Sequence, residues 1–76
     1  MEELLAWIAR ELVDEPEHVR VERVEREDGI VLRLHVAPAD VGKVIGRQGR
    51  LARALRALVR TASARSDTRL MLEIAE

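Results

Sequence analysis

The residues best placed to do chemistry are four in a row, Gly46-Arg47-Gln48-Gly49. Two glycines three apart bracket a cation and an amide. Glycine lets the backbone approach another molecule closely and take conformations that other residues avoid. The apolar pair Val44-Ile45 leads in, and a long helical pattern begins at Arg50. The free N–H groups and positive dipole end of such a helix attract an anion, for instance a phosphate. Lys43 and Arg50 flank the loop, Arg47 lies in it, and Arg53 sits about one turn into the helix. Residues 41–66 hold seven bases and no acid, whereas residues 1–40 hold eleven acids against five bases. The formal net charge of −1 therefore hides a strongly basic central segment.

Other chemistries lack their residues. With no cysteine there is no disulfide, thiolate metal site or thiol nucleophile. His18 and His35 stand far apart without companion ligands, which argues against a metal site, and no Ser-His-Asp set can be assembled. A Walker loop needs Gly-x-x-x-x-Gly-Lys-Ser/Thr, but Lys43 precedes the relevant glycine. The dinucleotide fingerprint fails because no strand runs directly into Gly-x-Gly. A DNA-reading helix-turn-helix is an alternative. However, the second helix lacks the Asn, Gln and Ser that would read base edges. The expectation is a binding protein rather than an enzyme, with no cofactor and no small-molecule substrate.

The elements that must position the loop follow from periodicity. Residues 2–13 read as a helix with Leu4, Leu5, Ile8 and Leu12 on one face, ended by Asp14 to Glu17 around Pro16. Residues 19–27 and 30–36 read as strands joined by a hairpin turn at Asp28-Gly29. In the second strand Ile30, Leu32, Leu34 and Val36 point one way and Val31, Arg33 and His35 the other. In the first, Val24 breaks the parity of Val19 and Val21, which predicts a bulge near Glu22-Arg23. Pro38 suits the start of a short helix, about Ala39 to Ile45. A longer helix, about Arg50 to Ala64, carries the apolar stripe Leu51, Ala54, Leu55, Leu58, Val59 and Ala62, with Arg53, Arg56 and Arg60 opposite. Residues 69–75 form a last strand. The order α-β-β-α-α-β in 76 residues predicts one α+β domain, residues 1–76, with a three-stranded mixed sheet and helices packed on one face.

Val44-Ile45-Gly46-Arg47-Gln48-Gly49 resembles the signature of KH-domain RNA-binding proteins, in which an apolar pair precedes a Gly-x-x-Gly loop. The element order resembles the bacterial, type II arrangement. The chain length and the lead-in Gly42-Lys43-Val44-Ile45-Gly46 resemble the small stand-alone bacterial KH proteins of the KhpA type. Gly-x-x-Gly alone is also a common helix-capping pattern. The lead-in, the basic x, the element order and the length together carry the resemblance, over nearly the whole chain.

The resemblance implies single-stranded RNA as partner, with Gly46 and Gly49 shaping a loop that clamps about four nucleotides. It implies phosphate and sugar contacts from Arg47 and Gln48, anchoring of the loop by Ile45, and a low groove-side surface at Gly42. Lys43, Arg50 and Arg53 complete the implied site. The strand Ile30–Val36 would form the opposite wall. A role in post-transcriptional regulation or as an RNA chaperone is implied too, as is pairing into a homodimer or with a larger KH-containing RNA-binding protein. A KH-shaped module whose main role is that pairing is the alternative.

Bland readings compete elsewhere. Arg53, Arg56 and Arg60 read as a solvated helix face, with only Arg53 near the loop. Trp7, the sole aromatic, reads as packing at a helix edge or subunit contact rather than stacking on a base. The start Met1-Glu2-Glu3 is acidic, unlike a signal peptide, and no uncharged run nears bilayer length. A soluble cytoplasmic protein, off the membrane, is the expectation.

Overall fold

The computed structural model describes residues 1–75. It contains α1 (Glu2–Leu12), β1 (Arg20–Arg26), β2 (Gly29–His35), α2 (Val41–Ile45), α3 (Arg50–Ala64) and β3 (Leu70–Ile74). Short 3-10 turns occupy Pro16–His18, Pro38–Asp40 and Arg47–Gly49. The α+β order is the one the sequence predicts. No helix is long and apolar enough to cross a membrane among the described residues.

The sheet order is β1-β2-β3, with β1 and β2 antiparallel and β2 and β3 parallel. Because paired residues share a face, the register assigns two sides. Val21, Leu34 and Ile74 lie on the helix-covered side, with Arg23, Leu32 and Leu72 and with Ile30 and Leu70. Glu22, Arg33 and Glu73 lie on the open side, as do Val24, Val31 and Met71. The pairing from Arg20↔His35 to Arg26↔Gly29 is continuous, so the expected bulge is absent. Val24 keeps its odd parity because it faces the open side, against Val31.

The hairpin turn is one residue earlier than expected. Glu27 and Asp28 form it, and Gly29 is already paired with Arg26. Gly29 is required for another reason. At φ 148° its missing Cβ would fall 2.4 Å from the Arg69 carbonyl oxygen, which accepts a hydrogen bond from the Ile30 N–H at 2.8 Å. The glycine thus lets the strand ahead of β3 dock against β2.

The core sits between the sheet and the helices as two adjoining clusters. Leu5, Ile30, Leu32 and Leu55 form one, and Ala6, Ala9, Val19, Leu34, Val44, Ala52 and Ile74 the other, with Val21 and Leu72 packed against both. Each fully buried Leu or Val contributes roughly 1.5–3 kcal/mol. The buried face of α1 is Leu5, Ala6 and Ala9, rotated from the expected stripe, and Leu4 is exposed. Small alanines let α1 approach the sheet closely. α3 is rotated likewise: Ala52, Leu55 and Val59 are buried and Ala54 is exposed. Asp40 is the one buried charged residue among those described. Its Oδ2 accepts the Glu15 N–H at 3.0 Å, tying the α1–β1 connection to the start of α2.

Candidate nucleic-acid interface

α2 ends at Ile45, whose half-buried side chain packs on the core cluster that contains Val44 and Ala52. The chain then turns through Gly46, at φ 78° and ψ 172°. That region is essentially restricted to glycine. A Cβ there would lie 2.9 Å from Leu51 Cβ. The Gly46 N–H donates to the Gly42 carbonyl at 2.9 Å, and the Gly46 carbonyl accepts the Gly49 N–H at 3.1 Å. Gln48 (φ 58°) and Gly49 (φ 73°) are both left-handed. Two such residues in succession turn the chain sharply into α3, whose N-terminus no side chain caps.

The loop is braced from α3. Arg53 Nη1 donates to the Gln48 carbonyl at 3.0 Å, and Arg50 Nη2 donates to Gln48 Oε1 at 3.4 Å. Arg47 is exposed. Lys43 is less free than the sequence suggested: its Nζ lies 3.1 Å from Asp14 Oδ2, contributed by the α1–β1 connection. A Cβ on Gly42 would meet no atom within 4 Å, so packing does not demand glycine there. The predicted residues Gly42, Lys43, Ile45, Gly46, Arg47, Gln48, Gly49, Arg50 and Arg53 thus gather at one corner of the molecule.

Further along α3 lies a groove that sequence reasoning missed. An open groove of about 310 Å³ lies between α3 and β3, with Val59, Leu70 and Leu72 along it and Arg56, Arg60 and Arg69 around it. Gly49, Arg53, Arg56, Arg60 and Ser63 follow one another at spacings of three or four, so they form one line along α3. That line is about 21 Å long at about 1.5 Å per residue. Arg56 and Arg60 are exposed, as the helical wheel predicts, but they border this groove rather than a remote face. The rotation of α3 that buries Ala52 and exposes Ala54 turns them toward β3. The signal was in the sequence: five of the six stripe residues are buried or half-buried, but counting Ala54 and missing Ala52 turned the inferred face away from both arginines.

The opposite wall also changes. β2 is the central strand, paired on both edges, so Ile30–Val36 cannot present a free edge. β3 can. The Ile30 N–H donates to the Arg69 carbonyl and the Ala75 N–H to the Leu34 carbonyl, whereas the Leu70 N–H turns away from β2 to Ser63 Oγ at 3.0 Å. Alternation along a parallel strand then directs the Leu72 N–H and C=O outward as well, toward α3.

Elsewhere, Trp7 is 59% and Leu4 45% exposed. Trp7 borders a second hollow against Val19 and Val21 at the β1 edge, across the sheet from the α3–β3 groove. His35 is occupied on the open sheet face. Its Nε2–H donates to Glu22 Oε1 at 3.0 Å, the tautomer that a carboxylate acceptor requires. Arg33 bridges the same Glu22, at 3.6 Å, and Glu73, at 2.8 Å. The Glu22 carboxyl is held below the ordinary carboxylate value, first by the His35 hydrogen bond and further by Arg33 and Arg20, with partial burial opposing them.

The family model described as "KhpA/KhpB, KH domain" matches residues 2–74. This chain belongs to the KhpA/KhpB KH-domain family. Among relatives named "RNA-binding protein KhpA", that of Clostridium acetobutylicum is 47% identical over 74 residues, covering 97% of this chain and 99% of the relative. That of Treponema pallidum is 53% identical over 73 residues, covering 96% and 91%. That of Aquifex aeolicus is 43% identical over 76 residues, covering 100% and 96%. No solved structure gives a match. The KH-domain match spans both the Gly46–Gly49 corner and the α3–β3 groove.

Proposed function

We propose that this KH-domain protein is an RNA-binding module, not an enzyme, that holds about four nucleotides of single-stranded RNA. In this reading the phosphates lie at Gly46-Arg47-Gln48-Gly49, near Arg50 and the N-terminal end of α3. The bases lie in the α3–β3 groove, on Val59, Leu70 and Leu72, within reach of the outward Leu72 N–H and C=O. One observation carries the proposal: a line of arginines, Arg53, Arg56 and Arg60, runs on from the loop along α3, and the groove that Arg56 and Arg60 border has no carboxylate in its lining. The relatives' name, RNA-binding protein, supports it. A cytoplasmic post-transcriptional regulator or RNA chaperone is the role such a module would serve.

The double variant Arg47→Asp/Gln48→Asp tests the reading. Arg47 is exposed, and aspartate tolerates the left-handed backbone at position 48 better than most residues. The melting curve should therefore barely move, by within about 0.5 kcal/mol. Two negative charges where a phosphate would lie should lower affinity for a short single-stranded RNA by more than about tenfold. Neutralising about three phosphates implies a log–log salt slope of about −2. Duplex DNA should not displace the RNA. Parent-like binding by the variant would remove the proposed site.

Exposed Leu4 and Trp7 favour a second role, pairing with another copy or with a larger KH-containing protein. Light scattering on a sizing column, alone and with such a partner, gives the mass. A strict monomer in both cases rules the pairing out.

A further inference from the structure

Two arginines of α3, Arg56 and Arg60, line the α3–β3 groove, and Arg69 borders it just ahead of β3, where it is shared with the hollow beside the hairpin turn. Among the described residues none of the three makes a side-chain hydrogen bond or ion pair, unlike Arg23, Arg33, Arg50 and Arg53. The lining holds no Asp, Glu, Asn or Gln. Its one hydroxyl, Ser63 Oγ, is committed, accepting the Leu70 N–H at 3.0 Å and donating to the Thr68 carbonyl at 3.4 Å. The free side-chain hydrogen-bonding groups around the apolar floor are therefore all donors.

A guanidinium carries its donors in a fixed fork and accepts nothing. It matches a base edge with two adjacent acceptors. Guanine offers O6 and N7 in that arrangement, whereas adenine replaces O6 with an amino donor, which meets the fork donor to donor. Uracil has no two adjacent acceptors and satisfies half the fork; cytosine pairs O2 with N3, but its single ring covers less of the apolar floor than the two rings of guanine. We propose that the α3–β3 groove is a guanine-selective position, read by the forks of Arg56 and Arg60 at O6 and N7, with the base face on Val59, Leu70 and Leu72. The inference rests on the RNA-binding reading above and adds to it the base that the groove selects.

The test uses the whole chain and hexa-adenosine RNA in which a single guanosine is walked along the strand, read by fluorescence anisotropy. At one register guanosine should raise affinity about tenfold over hexa-adenosine, the scale of one bidentate base contact. Inosine keeps O6 and N7 and should retain the gain. 7-Deazaguanosine lacks N7 and should lose most of it. These arms need no protein variant. The Arg56→Lys/Arg60→Lys variant keeps both charges but loses the forks, so its guanosine-to-adenosine affinity ratio should fall to about one. Equal binding of all the hexamers, each still abolished by Arg47→Asp/Gln48→Asp, would overturn guanine selection and leave the RNA site standing. An unchanged ratio in the lysine variant would overturn the assignment to these arginines. Binding of no hexamer at all would overturn both readings.

Discussion

Lys43 Nζ stands 3.1 Å from Asp14 Oδ2, so the only cation on α2 already faces a carboxylate before any phosphate arrives. Asp14 is held close by its neighbour, since the Glu15 N–H is bonded to the buried Asp40. In the proposed binding mode, phosphate and Asp14 would compete for one ammonium group. Asp14→Asn frees Lys43 and is expected to strengthen RNA binding by about two- to fivefold, the range of an exposed ion pair. The salt slope should steepen if Lys43 takes a phosphate of its own, by about 0.7. An anisotropy titration at several salt concentrations measures both. Unchanged affinity and slope would mean that Lys43 stays out of the RNA contact.

The two loop glycines differ in what they tolerate. Gly46 combines a backbone region closed to side chains with a Cβ position 2.9 Å from Leu51 Cβ. Gly46→Ala is therefore expected to destabilise by about 2–3 kcal/mol, because neither strain nor contact can relax cheaply. Gly49 is left-handed too, but its nearest atom would be the flexible Arg53 Nη1 at 3.8 Å. Gly49→Ala should cost only about 1–2 kcal/mol, and Gly49→Asn less. Chemical denaturation of the three variants orders them, and equal losses at positions 46 and 49 would contradict this account.

Much of this was legible from residue types alone. Pro16, Pro38 and the glycine pair mark breaks that any continuous helix would violate, and the alternation in β2 fixes its two faces without reference to neighbours. What was not legible depends on neighbours. Val24 looked like a bulge because its parity suits a face that the sequence alone cannot show to be lined by Val31. Gly29 looked like a turn residue because its real constraint, the Arg69 carbonyl, is forty positions away in the chain. The positive φ of Gln48 has no residue-type signature. Arg56 and Arg60 were misplaced because alanine counts equally as core or surface in a helical wheel. Choosing Ala54 over Ala52 rotates the whole face.

Acid should weaken the open face of the sheet. The Glu22 carboxyl lies below the ordinary value, chiefly through the His35 hydrogen bond. A carboxyl depressed in the folded state stabilises the protein above its unfolded value and loses that contribution as pH falls through the folded one. The Glu22→Gln variant should therefore be less stable than the parent near pH 7. The gap should narrow as pH drops below the unfolded glutamate value of about 4.3. Denaturation midpoints across pH 3 to 7 report it. A gap that stays constant or widens toward acid would show that Glu22 ionisation is not coupled to folding.

Arg60 gives the sharpest contrast between a reading from the helical wheel and one from the folded chain. The wheel makes Arg60 a remote, solvated charge, fit to serve as a control. In the fold it borders the groove between α3 and β3, in line with Arg53 and Arg56. Arg60→Asp leaves an exposed helix position occupied, so stability should change by within about 0.5 kcal/mol. If the RNA strand enters the groove, the variant loses a charge-assisted contact and gains repulsion, and affinity should fall by about tenfold or more. A proper control reverses a charge on the other edge of the sheet. Arg10 lies in the last turn of α1, beside Trp7 and Arg20. Arg10→Glu alters the net charge equally, so it reports the long-range field alone, which should change affinity by less than about threefold at moderate salt. The comparison is made at one ionic strength, with folding checked by circular dichroism. If Arg60→Asp binds RNA no worse than Arg10→Glu, the strand stops at the glycine loop and the α3–β3 groove stays empty.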